Sequence, residues 1–557
     1  GQPSGQVIRA DFKTFQIDHN LTATARHTFS PDISGSLTVG QNLNSRSFRQ
    51  ISVTGITLVA PQPFDLLNTT NWTPNDSESL IHSESYFAQV DMSLFDRVFV
   101  SAAARNDGFS EFGTSSRRHW FPKGSFAWNF IQNSGSSSGI LNYGKFRGAY
   151  GETGTEPGAY STLQIYTSGI SIGDAGWGDA LLINQAGLGG LAQGGRRNQP
   201  NLGPERTKEF ETGVDLGLLN SHADASITLY SDRTEGAIFA LPLANSTGFT
   251  SIEANAGVIR NQGIETSINY RPIMRSDLTW EIGLNWSKND NKLVNLSGQQ
   301  FVDLATGGGF TGAVPTAWYG SSVGVLRGND FARCGRGLVI DGNDIDAACG
   351  NAPKGALYIG SDGFPILDPT QRVVMDGNPK WLGSIRSSVT WKKLTVSGLL
   401  DIHHGGQIWN GTKGALYNFG THKDTEIRGS SVVFGKSWLP GAVGGPGAGQ
   451  AVTLDESWFE NLGSGFGPVA TQFVEDASYT KLREISVAYS FDQPWVHNWG
   501  FSSVDLRVAG RNLHTWTNYT GIDPEANLAG ASSRIQGVDY FNNPQTKSFV
   551  ISLGLNR

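Results

Sequence analysis

Apolar and polar residues alternate with a period of two along most of the chain. In Phe210 to Leu218 the apolar phase holds Phe210, Val214, Leu216 and Leu218, while Glu211, Gly213, Asp215 and Gly217 take the other. Trp280, Ile282, Leu284 and Trp286 oppose Glu281, Gly283, Asn285 and Ser287; Ile485, Val487, Tyr489 and Phe491 oppose Glu484, Ser486, Ala488 and Ser490; Val504, Leu506 and Val508 oppose Asp505 and Arg507. The alternating segments run for roughly 10 to 20 residues, longer than the ~5 or 6 of an ordinary soluble strand. Several carry aromatics at one or both ends, as membrane-interface girdles do. No fixed short repeat marks a β-helix or a propeller. The pattern predicts an all-β protein, a transmembrane antiparallel β-barrel.

Outer-membrane barrels have short turns on the periplasmic side and long loops outside, so connection length should alternate, and it does. Reading back from a last strand at about Thr546 to Asn556, the connections are long at 518–545, short at 492–500, long at 411–469 and short at Trp391-Lys392-Lys393. They continue long at 297–379, short at 271–277, modest at 244–250, short at 220–222, long at 155–203 and short at 133–139. The outer 109–118, short 95–97, long 51–82 and short 31–35 complete the series. This predicts about 15 strands across residues 1–557, an odd number, with the first running inward from outside. Complete bacterial barrels have even strand numbers and both ends in the periplasm, so the expectation is that an upstream segment or chain supplies about seven more. The total would be roughly the 22 of plugged transporters.

Composition narrows the class. Gly contributes 71 of the 557 residues, charged residues 16% and hydrophobic residues 38%, with no apolar run near the ~18 residues of a membrane helix. Thirty Phe, 15 Trp and 14 Tyr are too many for a disordered chain. A net charge of -7 argues against nucleic acid as a partner; the expected surroundings are outer-membrane lipids. Two Cys are too few for a disulfide scaffold.

Ala104-Arg105-Asn106-Asp107-Gly108-Phe109-Ser110-Glu111-Phe112-Gly113 and Trp120 to Trp128 resemble the "R-x-D-G-S-S-x-F-G … F-P-S-x-S-x-x-W" of SusC/RagA-type TonB-dependent transporters, and other blocks follow in that family's order. Phe146 to Gly154, Asn201 to Gly213 and Asn255 to Glu265 are similar to further blocks. Val474-Glu475-Asp476-Ala477-Ser478-Tyr479-Thr480-Lys481-Leu482-Arg483-Glu484-Ile485 resembles "V-E-D-x-S-Y-x-R-L-R-x-x-x-L". Gly510-Arg511-Asn512-Leu513 with Thr515-Trp516 and Asp523-Pro524-Glu525 resembles "G-x-N-L-x-x-x-T-x-Y-x-G-x-D-P-E". The resemblance implies the C-terminal barrel portion of an outer-membrane importer in a Gram-negative bacterium. Its cargo would be a large nutrient: a glycan, a glycoconjugate or a peptide. It also implies a SusD-like surface lipoprotein as lid and energy from TonB-ExbB-ExbD through an N-terminal plug region that these residues do not include. The alternatives are a non-transporting structural or secretion-associated barrel and a lid-less TonB-dependent receptor.

Candidate residues follow. Arg105, Asp107, Glu475, Asp476 and Arg483 are expected to line the lumen or anchor loops through charge-assisted hydrogen bonds. Trp177, Trp318, Tyr319, Trp409, Trp438, Trp458 and Phe459 are loop aromatics on which a sugar could stack, or else girdle and loop-core packing. Trp438 and Trp458 are also candidate anchors for a lid docked on the 297–379 and 411–469 loops. Cys334 and Cys349 are expected to form a disulfide in the longest loop, the alternative being two unpaired thiols. Asp341, Asn343, Asp344 and Asp346 are oxygen ligands at near-alternate spacing for Ca²⁺, without the terminal bidentate Glu of a complete loop; the alternative is a solvated acidic loop. No other cofactor is expected. His403 and His404 are adjacent in a strand and face opposite ways, so they cannot share a metal. Gly320-Ser321-Ser322-Val323-Gly324 fits G-x-S-x-G without the strand-to-helix turn a nucleophile needs. No enzyme activity is expected.

Overall fold

A computed structural model describes residues 5–113, 117–132, 140–168, 171–172, 181–182, 191–304, 312–530 and 535–557. Among them, fifteen strands follow one another through a single antiparallel sheet in chain order. They are β1 (Gln6–Ser30), β2 (Ile33–Leu58), β3 (Thr69–Leu94), β4 (Val98–Phe109), β5 (Arg118–Gln132), β6 (Leu141–Thr155), β7 (Glu205–Leu218) and β8 (Ala223–Pro242). The rest are β9 (Ser251–Met274), β10 (Leu278–Leu296), β11 (Trp381–Trp391), β12 (Leu394–His404), β13 (Tyr479–Phe491), β14 (Ser503–Thr517) and β15 (Ser548–Asn556). Among the described residues no helix is long and apolar enough to cross a membrane. The chain divides into two compact units, residues 1–130, 145–212 and 232–258 against 131–144, 213–231 and 259–557.

In the first unit the leading strands are far longer than the ~9 to 11 residues that span a bilayer. β1, β2 and β3 have 25, 26 and 26 residues, and β2 and β3 pair without interruption from Ile33↔Leu94 to Ile56↔Asn71. The stretch 51–82, expected as a loop, is therefore mostly strand, and only 59–68 connects the two arms. The run Ser77 to Ser85, polar except for Leu80 and Ile81, hid the strand, because beyond the membrane neither face needs to be apolar. Lower down the two phases separate cleanly. The row Ala25, Leu37, Val90, Ala102 and Gly124 crosses five strands. The opposite phase carries Asp18, Asn20, Asn42 and Asn44, joined by amide donors to the Asp18 carboxylate and Asn20.

In the second unit the register stacks like with like. Trp280, Val389, Val396, Val487, Val508 and Ile551 form one row across β10 to β15. Polar pairs occupy the other phase, among them Arg386 with Glu281 at 2.8 Å and Ser397 with Ser486 at 2.8 Å. Three insertions leave this sheet, 297–380, 405–478 and 518–547, and they share one hydrophobic core. Leu326, Phe331, Ile359 and Met375 come from the first; Trp409, Tyr417, Phe434, Trp458, Phe459 and Phe473 from the second; and Val538 from the third. Small sheets sew them together. Gln407–Asn410 pairs with Val474–Asp476 and, in parallel, with Val538–Asp539, while Leu357–Tyr358 runs parallel to Val443–Gly444. The Gly-rich 441–449 segment, which has no core of its own, is held against the first insertion this way.

Candidate functional site

The charged side chains of β12 and β13 meet the third insertion at one place in the second unit. Asp401 and His403 lie on the polar phase of β12, opposite Lys481 and Tyr479 of β13. The register then shifts, so that Leu400 pairs with Leu482 and Leu399 with Glu484. Arg483 is the extra residue of this bulge, which lets two consecutive charged side chains take the polar side. A matching irregularity on β14 places Asn512 at φ 52°, a left-handed conformation that Asn tolerates better than most residues. Local sequence thus explains two of the blocks in physical terms: Lys-Leu-Arg-Glu and Gly-Arg-Asn-Leu are two sides of one bulge.

The bulge serves a closed set of ion pairs. The Lys481 ammonium, whose side chain is 3% exposed, donates to Asp523 at 2.8 Å and to Glu525. Arg483 donates to Asp401 at 2.6 and 2.9 Å and to both oxygens of Glu525. The Tyr479 hydroxyl donates to Glu525 at 2.6 Å, and Gln545 adds an amide donor at 2.8 Å. Burial alone would raise the Glu525 carboxyl, but the donors Arg483, Lys481 and Tyr479 outweigh it and hold it at about 2. Glu525 and Asp523 belong to the third insertion, so the cluster is a latch between that insertion and the strand wall. Removing one partner of such a buried set leaves a charge uncompensated.

Further anchors bind the insertions to one another. Glu475 accepts from Thr520 N and Oγ1 at 2.8 and 2.7 Å and from Asn410 at 3.2 Å. Asp539, fully buried, accepts from Tyr519 at 2.6 Å and Thr412 at 3.0 Å. Burial and that carboxylate push the Tyr519 hydroxyl well above its ordinary value. Asp330 accepts from Thr471 at 2.6 Å and pairs with Arg333 and Arg336. Its burial is offset by these partners, and the carboxyl stays below the usual range. Asp368, fully buried, pairs with Arg336 and Arg372.

The expected residues divide. Arg483 and Glu475 converge on the third insertion, whereas Asp476 caps a local turn through Ser478. Arg105 donates to Asp107 two residues on, within β4 of the first unit. The loop aromatics need correction. Trp409 and Trp458 are 2% and 4% exposed, Phe459 is buried and Trp438 packs against the same core. They hold the insertions together, so neither a sugar nor a docked protein reaches the indoles of Trp409 and Trp458. Trp318 stacks on Phe301 at 5.1 Å and Tyr319 is exposed; Trp177 lies outside the described residues. Cys334 and Cys349 are joined in a disulfide beneath a small cluster of Ile345, Tyr358 and Ala332. Asp346 accepts from the backbone N–H groups of Gly335, Arg336 and Gly337, which hold its carboxyl below the usual range. Asp344 caps the helix Ile345–Ala348. These two carboxylates are committed to backbone donors, and among the described residues no three His, Cys, Asp or Glu are placed to hold a metal. The Ser322 hydroxyl donates to Asp376 at 2.9 Å, a loop contact. Sequence reasoning missed Lys481, Asp523, Glu525, Tyr519 and Asp539. The first three stand inside quoted blocks, and the signal was the carboxylate pair Asp-Pro-Glu facing a Lys-Leu-Arg strand.

With this geometry in place, comparisons with known proteins add the lineage. Residues 2–513 match the family model described as TonB dependent receptor-like, beta-barrel. TonB-dependent receptor P3 of Formosa agariphila is 26% identical over 522 residues, covering 92% of this chain and 48% of that protein. TonB-dependent receptor SusC of Bacteroides thetaiotaomicron is 23% identical over 482 residues, covering 85% and 43%. Among solved structures, that of the RagAB peptide transporter superposes with a TM-score of 0.71 at 17% identity, covering 99% of this chain and 56% of that one. The chain spans about half the length of the curated relatives it matches.

Proposed function

Because the chain belongs to the TonB-dependent receptor-like β-barrel family, an outer-membrane family of receptors rather than enzymes, we propose that it is the barrel of a SusC-like importer of a large nutrient. The observation that carries this reading is the three-insertion core latched to β12 and β13 by Lys481, Arg483, Asp523 and Glu525. A non-selective pore gains little from a fixed, folded mouth. An importer needs one, to present a constant surface to a cargo and to a lid while the path beneath opens. A SusD-like lipoprotein as lid, and energy coupling through TonB-ExbB-ExbD, belong to the same proposal for the whole protein. The cargo is a glycan, a glycoconjugate or a peptide; the peptide option is supported by the likeness to the RagAB peptide transporter.

The test uses the native bacterium with the gene deleted and then restored as the full-length form. Cells are offered labelled oligosaccharides or labelled oligopeptides of graded length. Uptake of one class that needs the gene, and that stops when the proton-motive force is dissipated, is the expected result. Uptake of neither class, with altered envelope integrity instead, would favour a structural barrel. Capture of the full-length protein from its membrane without any co-purifying lipoprotein would favour a lid-less receptor.

A further inference from the structure

The first unit carries a groove on the phase of the sheet opposite that of Asp18, Asn42 and Asn44. On that phase Trp128 and Trp120 of β5 lie eight residues apart, both exposed, or ~26 Å along the strand at ~3.3 Å per residue. Between them the rows are apolar except for His27: Val39, Ala88 and Ala104 stand in one, and Gly35, Met92, Val100 and Phe126 follow His27 in another. Trp128 is at the end of the short turns Pro31-Asp32 and Phe95 to Arg97. Trp120 is at the opposite end, in a row with Leu21, Gln41, Tyr86 and Asn106. These two aromatic levels mark the edges of the hydrocarbon layer.

One row beyond Trp120, the sequence of the sheet changes to His19, Leu43, Glu84, Gly108 and Arg118, and the next row brings Ile17, Ser45 and His82. Gly108 leaves the middle open, since a Cβ there would come within 3.3 Å of Arg118 Cγ. The result is a cavity of about 770 Å³ whose lining includes Arg117, Arg118, His19, His82 and Glu84. Arg118 is held in place: it donates to Asn106 at 2.9 Å and to Glu84, and its guanidinium sits 5.2 Å from the centre of the Tyr86 ring. Arg117 beside it is exposed.

We propose that this groove binds the phosphate-bearing headgroup of an outer-leaflet lipid. Its position is the argument for the occupant. It opens on the lipid side, directly above the belt, where a solute travelling along the polar phase does not pass and where headgroups are concentrated. Two arginines against one carboxylate give it a net positive lining, guanidinium geometry suits phosphate oxygens, and Ile17 and Leu43 offer apolar surface to the first carbons of the lipid. Basic pockets between transmembrane helices bind anionic lipid headgroups in other membrane proteins, by the same chemistry.

The experiment takes the full-length protein purified from its own outer membrane in mild detergent, with phosphorylated lipid per barrel counted by native mass spectrometry. R117Q/R118Q should retain roughly five- to thirty-fold less lipid than the parent, while R49Q, on the same strands away from the groove, retains as much. E84Q removes the opposing charge and should retain more. Each variant is first shown to keep the parent's heat-resistant mobility in gels. Equal retention in all four proteins would overturn the proposal, as would a fall in E84Q matching that in R117Q/R118Q. Full displacement by millimolar inorganic phosphate alone would also overturn it, because the site would then hold a free anion rather than a lipid.

Discussion

The two units leave the membrane by different means. In the first, the sheet simply continues: β1 to β3 run for 25 or 26 residues and pair nearly to their tips. In the second, β11 and β12 stop at 11 residues each and β15 at 9, and the chain departs into insertions that build their own core. The backbone explains the choice. A strand that keeps its neighbour satisfies its own N–H and C=O groups wherever it goes, so the extended arms need little burial, and most of their side chains are exposed. An insertion that abandons the ladder has to find new partners and a hydrophobic core to offset the entropy of ordering. That is why Trp409, Trp458 and Phe434 are buried in the second unit, while Trp72, Phe64 and Leu67 at the tip of the first unit are exposed. Regular extension is robust to single changes, and a latched core is not.

The largest break in this contrast should come at the latch. K481M leaves the buried Asp523 without its ammonium and Glu525 with Arg483 as its remaining cation, a change that costs about 3 to 5 kcal/mol. Limited proteolysis of the full-length protein should then cut within 518–547, while β1 to β3 remain resistant. The disulfide is next. C334S/C349S removes a cross-link between residues 15 apart, worth about 3 kcal/mol in the chain-entropy model. Hydrogen exchange should rise within 333–358 and nowhere in the first unit.

Acid should separate the units more gently. Glu525 has a folded value of about 2 against an ordinary 4.5. A depressed carboxyl stabilises the folded form fully above about pH 4.5, and this contribution is lost as pH falls through that value towards 2. Proteolysis at 518–547 should therefore increase between pH 4.5 and 2, and E525Q, which has no charge to lose, should show a smaller pH step. The smallest effect is expected at the Arg49–Asp76 pair of the extended arms. Both partners are in water, and R49A should leave proteolysis of every insertion unchanged; a change would mean that the arms are not independent of local side-chain pairing.

How much of this was legible follows the same division. The apolar phases of Trp280 to Trp286 and Ile485 to Phe491 were readable because a membrane imposes period two on a strand, and register then aligns Val487 with Val396 and Val508. The polar arms around 51–82 read as loop, since no medium imposes a pattern there. The insertion core was illegible for the opposite reason: Trp409, Tyr417, Phe434 and Trp458 are scattered over some fifty positions with no period, and only tertiary contact shows that they meet. The latch lay between these cases. Its motif residues stood out, but the pairing of Lys481 with Asp523, 42 residues away, depends on a bulge at Arg483 that spacing does not announce.

The central claim is that the three insertions form one cooperative body. Trp458 tests it, because its ring lies 6.3 Å from Phe331, 5.9 Å from Phe364 and 5.1 Å from Phe434, joining the first insertion to the second. Truncation to W458A opens a cavity costing about 3 to 5 kcal/mol. Hydrogen exchange by mass spectrometry on the full-length protein should show 297–380, 405–478 and 518–547 losing protection together, with β1 to β3 and β10 to β15 unchanged. Loss confined to 405–478, with the other two insertions exchanging as in the parent, would contradict a shared core.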